Sequence, residues 1–247
     1  MKNIFLLSIL SLLFFVGNAQ SNSTYWQQHV DYTMDIDMNV ENYQYDGKQK
    51  LVYTNNSPDD LEMVFYHLYF NAFQPDSEMY VYSQNIPDPD RRFIEKLTNI
   101  PNLDETQIGF IKVNSLKQNG KSVKYEVTGT VLKVYLNTPI KAGKKATFEM
   151  GYLAQVPEQT RRSGRNNKEG IALSMAQWYP KMAEYDVEGW HADPYVSHEF
   201  HGVWGDFDVT IHIDKNYTIG GTGYLQNPQK VGHGYEDASK KIKLPKG

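Results

Sequence analysis

The densest group of potential metal ligands in the chain lies between Trp190 and His201. Three histidines, His191, His198 and His201, and two carboxylates fall within these twelve residues, and imidazole and carboxylate are ordinary zinc ligands. A zinc-binding helix places two histidines four residues apart, whereas His198 and His201 are three apart and Pro194 disfavours a helix. We therefore interpret the segment as a structured aromatic loop and expect no metal ligand in this chain. A metal-dependent hydrolase using the three histidines is kept as a hypothesis.

A neutral amide, Gln177, lies among apolar and aromatic residues in the segment Ile171–Asp186. Leaving its donor and acceptor groups without hydrogen bonds would cost about 1 to 3 kcal/mol, so the amide should have a partner. A backbone group is the favoured partner, and a bound ligand is the alternative.

The sequence contains no complete catalytic centre. Cysteine is absent, and neither a Gly-x-Ser-x-Gly elbow nor a phosphate-binding glycine loop occurs. The histidines outside the aromatic loop are expected to be surface or packing residues: His29, His67, His212 and His233. We therefore expect no catalytic residue in this chain.

Three patterns in the first third of the chain predict strands that would position these residues. Apolar side chains alternate from Val30 to Val40, which predicts a strand with one wet face. Tyr43–Tyr53 is interrupted by Asp46-Gly47, a dipeptide that favours a tight turn, and is predicted to be a pair of strands. The dense apolar run Leu61–Phe73 predicts a strand that is covered on both faces.

The rest of the chain is predicted to be one long loop followed by further strands. Prolines punctuate Gln74–Glu105, where only Arg91–Thr98 is typical of a helix, and the basic segment Gln159–Gly170 is predicted to be an exposed loop. Six more strands are predicted, the first three forming a meander: Ile108–Val113, Val123–Val127, Val131–Leu136, Ala146–Val156, Phe207–Asp214 and Tyr217–Leu225. The pattern decays after Gln226, and the whole indicates a mostly β fold in one domain.

The first nineteen residues are typical of a secretory signal. Lys2 supplies a positive charge, Ile4–Val16 is an apolar run, and Gly17-Asn18-Ala19 offers small residues for cleavage. The run is shorter than the roughly 18 to 20 residues that a membrane-spanning helix needs, and no comparable run follows. We expect an exported domain, residues 20–247, without a membrane span after cleavage and located in the periplasm or outside the cell.

The charge balance disfavours a nucleic-acid partner. The formal net charge is −4 and becomes −5 when Lys2 is removed with the signal. Nucleic-acid-binding domains usually carry a basic face with an excess of lysine and arginine. We therefore expect no nucleic acid among the partners.

Three blocks of the sequence resemble the N-terminal domain of the gluzincin zinc aminopeptidases, the alanyl aminopeptidase family. They are Ala172–Pro180, Gly189–His191 followed by Asp193–Tyr195, and Gly205–Ile211. The resemblance covers nearly all of residues 20–247. It implies a mostly β, saddle-shaped antiparallel β-sandwich, here without the strand that closes this domain in the family.

The same resemblance implies a function for two residues. In the family, a Gln or Glu at the position of Gln177 holds the free α-amine of a peptide substrate, and the residue at the position of Met175 lines the pocket for the first side chain. Zinc would be bound by a downstream thermolysin-like domain, whose His-Glu-x-x-His pattern does not occur in this sequence. The chain alone is therefore expected to be inactive, and its partners to be that domain and a peptide.

A non-enzymatic function is the alternative. Trp190–Tyr195 is rich in aromatic side chains, and exposed Trp and Tyr are common in binding sites. A secreted β-rich module that binds carbohydrate or peptide through this loop would also fit the sequence.

Overall fold

The computed structural model describes residues 25–85, 100–158, 163–167, 169–197 and 200–234. Most of the strands are organised in two larger sheets. The first has six strands in the spatial order β14-β1-β2-β8-β4-β5. Its strands are β1 (His29–Asn39), β2 (Gln44–Thr54), β4 (Phe110–Gln118), β5 (Lys121–Ser122), β8 (Lys145–Gln155) and β14 (Trp204–His212).

The second sheet has four strands in the order β11-β3-β7-β6, and two short pairs, β10-β9 and β12-β13, lie outside both sheets. The strands are β3 (Leu61–His67), β6 (Lys124–Thr128), β7 (Val131–Ile140), β9 (Gly164–Arg165), β10 (Leu173–Ser174), β11 (Lys181–Met182), β12 (Tyr185–Asp186) and β13 (Gly189–Trp190). The helical elements are α1 (Glu78–Gln84), α2 (Pro228–Val231) and two 3-10 turns at Tyr69–Ala72 and Ile100–Asn102.

The two sheets pack face to face through one apolar core, as expected for a mostly β, sandwich-like domain. Alternation along β1 buries every second side chain from Val30 to Met38, and β8 does the same from Ala146 to Ala154. These inward faces meet the second sheet, for example through the edge-to-face contact of Tyr66 with Phe148. The strands predicted at Val30–Val40 and Ala146–Val156 are therefore confirmed.

The predicted turn at Asp46-Gly47 is wrong, because β2 runs straight through it. Gly47 lies in the middle of the sheet, opposite Tyr152 on β8. A Cβ atom on Gly47 would lie 2.1 Å from the Tyr152 ring. The glycine is required by this close approach, and the chain reverses earlier, where Tyr43 adopts a positive φ of 59°.

Two other predicted elements differ from the structure in length or in sheet. Leu61–Phe73 is a strand only to His67 and then becomes a 3-10 turn. The predicted meander is divided, because β4 belongs to the six-stranded sheet whereas β6 and β7 belong to the second sheet. The helix in the long loop is α1, while the predicted helix at Arg91–Thr98 lies outside the described residues.

The predicted solvated basic loop at Gln159–Gly170 is wrong for Arg165. This side chain is only 8% exposed. Its guanidinium donates to the Thr106 carbonyl and lies 4.2 Å from the centre of the Tyr43 ring. The arginine thus joins the loop to the core, since stacking and hydrogen bonding both satisfy a buried guanidinium.

β14 is an edge strand and the one member of these sheets that pairs in parallel, along β1. Register places Phe207, Val209 and Ile211 beside the buried Tyr32, Met34 and Ile36, on the core-facing side of the sheet. The three β14 side chains are nevertheless 48%, 38% and 41% exposed. We call Phe207, Val209 and Ile211 the β14 apolar strip.

The last predicted strand, Tyr217–Leu225, does not form. Nor does any described helix have the length and apolar character needed to cross a membrane. The signal segment 1–19, His198 and residues 235–247 lie outside the described residues.

Candidate substrate-binding segment

Gln177 lies in an irregular segment that is tied to the sheets at both ends. At its start, Leu173 and Ser174 pair with Arg165 and Gly164. At its end, β11 pairs with the edge of β3. The residues between, 175–180, form no strand or helix, so other contacts must position them.

Three side chains from outside the segment position its backbone. The Ser163 hydroxyl donates to the carbonyl of Ala176 at 2.7 Å, and the Tyr45 hydroxyl donates to the carbonyl of Trp178. The Gln49 amide donates to the Pro180 carbonyl at 2.9 Å. The three donors are 5%, 1% and 3% exposed, respectively. Because buried donors satisfy alternate carbonyls, the segment has one defined backbone path.

Gln177 itself adopts a left-handed backbone with φ 55°. This conformation is uncommon for a residue with a Cβ atom and costs on the order of 1 kcal/mol. The half-buried side chain places Oε1 3.4 Å from Nζ of Lys181, in a long hydrogen bond. The partner of the amide is therefore a side-chain ammonium, and the expectation of a backbone partner is wrong.

Lys181 is held beside Gln177 in a partly buried position. Burial lowers the pKa of its ammonium group. The side chain passes Gly202, where a Cβ atom would lie 2.5 Å from Lys181 Cε. Gly202 thus leaves the space through which the lysine reaches the amide, and no sequence pattern signals this contact.

Met175 is half-buried and packs against the hydrophobic core. This contact accounts for an apolar residue at the position. Met175 and Gln177 are both partly accessible and belong to the same anchored segment.

The aromatic loop Trp190–Tyr195 is largely engaged in packing. Trp190 contacts the rings of Tyr53, Phe65 and Tyr185. Tyr195 is 6% exposed. Both rings thus pack against other residues of the domain, and the geometry does not favour this loop as a binding module.

The same loop contains His191, which belongs to a polar group. The buried His67 places Nε2 3.0 Å from the carbonyl oxygen of His191. Burial lowers the pKa of His67 to about 4, with a smaller effect from the positive charge of Lys181. His67 is therefore neutral at pH 7 and uses Nε2–H as the donor.

The structure brings together two of the three histidines that the sequence suggested as ligands, with a partner that the sequence analysis missed. His191, His201 and Asp186 have ligand atoms that all lie within 4.8 Å of one another. Asp186 is five residues before His191 and lies outside the segment Trp190–His201. A second group, His29, Asp31 and Asp206, lies at the edge of the six-stranded sheet. Its ligand atoms are also within 4.8 Å of one another.

No protein-family model and no curated protein matches this chain. Among solved structures, the M1 zinc metallopeptidase from Deinococcus radiodurans is similar in two forms. A mutant form gives a TM-score of 0.38 at 15% identity over 75% of this chain and 31% of that one. Another form gives 0.35 at 15% identity over 61% and 26%.

Legionella pneumophila aminopeptidase A in complex with aspartic acid gives a TM-score of 0.34 at 16% identity, over 64% of this chain and 14% of that one. The chain thus spans between 14% and 31% of the length of these proteins. Likeness at these TM-scores is too weak to assign a fold family or an activity.

Proposed function

We propose that this chain is the amine-recognising β domain of an exported zinc aminopeptidase, an enzyme that removes N-terminal residues from peptides. In this proposal, residues 1–19 are the signal peptide and residues 20–247 form the domain, which works in the periplasm or outside the cell. One observation carries the proposal: the Oε1 atom of Gln177 accepts a hydrogen bond from an ammonium group, that of Lys181.

This geometry supports amine binding because a substrate α-amine is also an ammonium at neutral pH. A substrate α-amine would replace Lys181 as the donor to this oxygen, since two ammonium groups at one amide oxygen would repel each other. The anchored backbone around Gln177 would hold that oxygen in place without a large ordering cost. Gln177 would position the amine and transfer no proton. Met175 would line the space for the first side chain, where a flexible thioether suits apolar groups.

The catalytic zinc of such an enzyme does not fit the residues of this chain. Its expected ligands are two histidines four residues apart on a helix and a separate glutamate. Both histidine groups among the described residues instead combine histidine with aspartate on strands and loops. We propose that the thermolysin-like domain of the same protein supplies the ligands of the catalytic zinc, and we assign no catalytic step to the residues of this chain.

The β14 apolar strip supports the presence of a downstream domain. Its three apolar side chains continue the core face of the sheet but are between 38% and 48% exposed. Contiguous exposed apolar surface of this kind commonly marks an interface. We propose that the thermolysin-like domain of the same protein packs against this strip.

The experiment is a kinetic comparison of Gln177→Ala with wild type in the protein that includes the downstream domain. A hydrogen bond to a charged group contributes about 1.5 to 3 kcal/mol, so KM for free-amine peptides should rise about 10- to 150-fold. Gln27→Ala is the matched control, since Gln27 is also a glutamine but is exposed. Unchanged kinetics of Gln177→Ala, or an equal change in Gln27→Ala, would refute the assignment.

A further inference from the structure

The hairpin β12-β13 places three ionisable side chains on one face. Tyr185 pairs with Trp190, and the His191 backbone N–H donates to the Glu184 carbonyl at 2.9 Å, one step further along the hairpin. Because cross-strand partners share a face and neighbours alternate, Glu184, Asp186 and His191 lie on one side. Tyr185 and Trp190 lie on the other, where their rings are 5.1 Å apart.

A third potential ligand reaches this face from the loop before β14. The His191 and His201 rings are 4.8 Å apart between centroids, at 70°. Asp186 Oδ2 is 2.8 Å from His191 Nε2. In a tetrahedral zinc site with bonds of about 2.0 to 2.1 Å, ligand atoms are separated by about 3.3 Å. The three ligand atoms, all within 4.8 Å, can reach this spacing by small side-chain rotations.

Each of the three residues makes a further hydrogen bond, Asp186 through its side chain and the two histidines through their backbone carbonyls. The Glu188 N–H donates to Asp186 Oδ1 at 2.8 Å, which leaves Oδ2 directed to His191. The carbonyl of His191 accepts from His67 at 3.0 Å, and that of His201 accepts from the Tyr69 hydroxyl at 3.5 Å. Preorganised ligands of this kind reduce the ordering cost of binding an ion.

The local charge also favours a cation. Glu184 is only 7% exposed and lies on the same face of the hairpin as Asp186. Among the described residues, neither carboxylate forms an ion pair with a lysine or arginine. A bound cation would offset this uncompensated negative charge.

We propose that Asp186, His191 and His201 form a binding site for a divalent transition-metal ion, Zn²⁺ being the ion that this N, N, O ligand set suits best. His201 is exposed, so the fourth position faces solvent. The ion would join the β12-β13 hairpin to the loop that leads into β14. This site is separate from the catalytic zinc of the proposed enzyme and does not depend on that proposal.

The test is calorimetric titration of Zn²⁺ into the untagged chain without its signal segment, residues 20–247, after removal of metal with a chelator. We expect one ion per chain, and at least about tenfold weaker binding in His201→Gln, as for the loss of a metal-site residue. His212→Gln is the matched control, because His212 also lies beside a carboxylate, 3.3 Å from Asp35, but has no third ligand in the described structure. This control should bind as wild type does.

His201 is exposed, so its replacement should leave the fold intact, which circular dichroism can verify. Co²⁺ offers a second measurement, since its visible absorption reports the coordination geometry directly. The proposal is overturned if Zn²⁺ does not bind stoichiometrically, if His201→Gln binds it as tightly as wild type, or if binding is lost in His29→Asn instead. The last result would assign the ion to the group of His29, Asp31 and Asp206.

Discussion

Replacing Tyr45 by phenylalanine removes one of the three donors that position the segment around Gln177. The Tyr45 hydroxyl is buried and donates to the carbonyl of Trp178. Its loss removes a hydrogen bond and leaves a part-buried carbonyl without this partner, which together cost about 1 to 2 kcal/mol. For a chain of this length, that loss lowers Tm by about 2 to 8 °C.

Tyr66→Phe is the matched control for this change. The Tyr66 ring is as deeply buried, but its hydroxyl has no hydrogen-bond partner among the described residues. Removing an unpaired buried hydroxyl should leave stability unchanged or raise it by up to about 1 kcal/mol. Urea unfolding followed by circular dichroism measures both variants. Equal losses, or a larger loss in Tyr66→Phe, would refute the reasoning about the Tyr45 anchor.

Two further predictions concern the core and the pH dependence of stability. Gly47→Ala should lower the free energy of unfolding by about 1 to 3 kcal/mol through overpacking, because its Cβ would lie 2.1 Å from the Tyr152 ring. Gly220→Ala is the control and should change this free energy little, because a Cβ there would have nothing within 4 Å. The pKa of His67 is about 4 in the folded state, whereas an unfolded histidine takes up a proton as pH falls below about 6.5. The free energy of unfolding should therefore fall between pH 6.5 and 4, by up to about 3 kcal/mol. His67→Gln should lessen this pH dependence in urea titrations, and an unaltered pH profile would contradict the assignment.

Strands with one solvent-exposed face could be predicted from the sequence. The conformation of residues that depend on distant contacts could not. The alternation at Val30–Val40 follows directly from the period of a pleated strand. Asp46-Gly47 has the composition of a turn, but the glycine is required because the Tyr152 ring approaches it from another strand. Tyr217–Leu225 has strand-like composition yet forms no strand. A strand also needs a neighbouring strand to pair with, and composition does not show whether one is present.

In the candidate site, too, the sequence singled out a residue but not the distant contacts that position it. The resemblance to a family singled out Gln177, but its contact with Lys181 depends on a left-handed backbone and on the space left by Gly202. Asp186 was missed because histidine spacing was judged as for a helix, whereas the hairpin turn at Val187-Glu188 brings Asp186 and His191 together. A search for ligands across tight turns would have found this pair.

The most direct test of amine recognition is the inhibition constant of one peptide inhibitor, prepared with and without its α-amino group, on the wild-type enzyme and on Gln177→Ala. Removing the amine should weaken inhibition of wild type by about tenfold or more. Gln177→Ala should weaken the amine-bearing inhibitor to a similar extent and leave the amine-free one unaffected. The account is contradicted if the amine-bearing inhibitor binds Gln177→Ala as tightly as it binds wild type, or if the variant weakens both inhibitors equally.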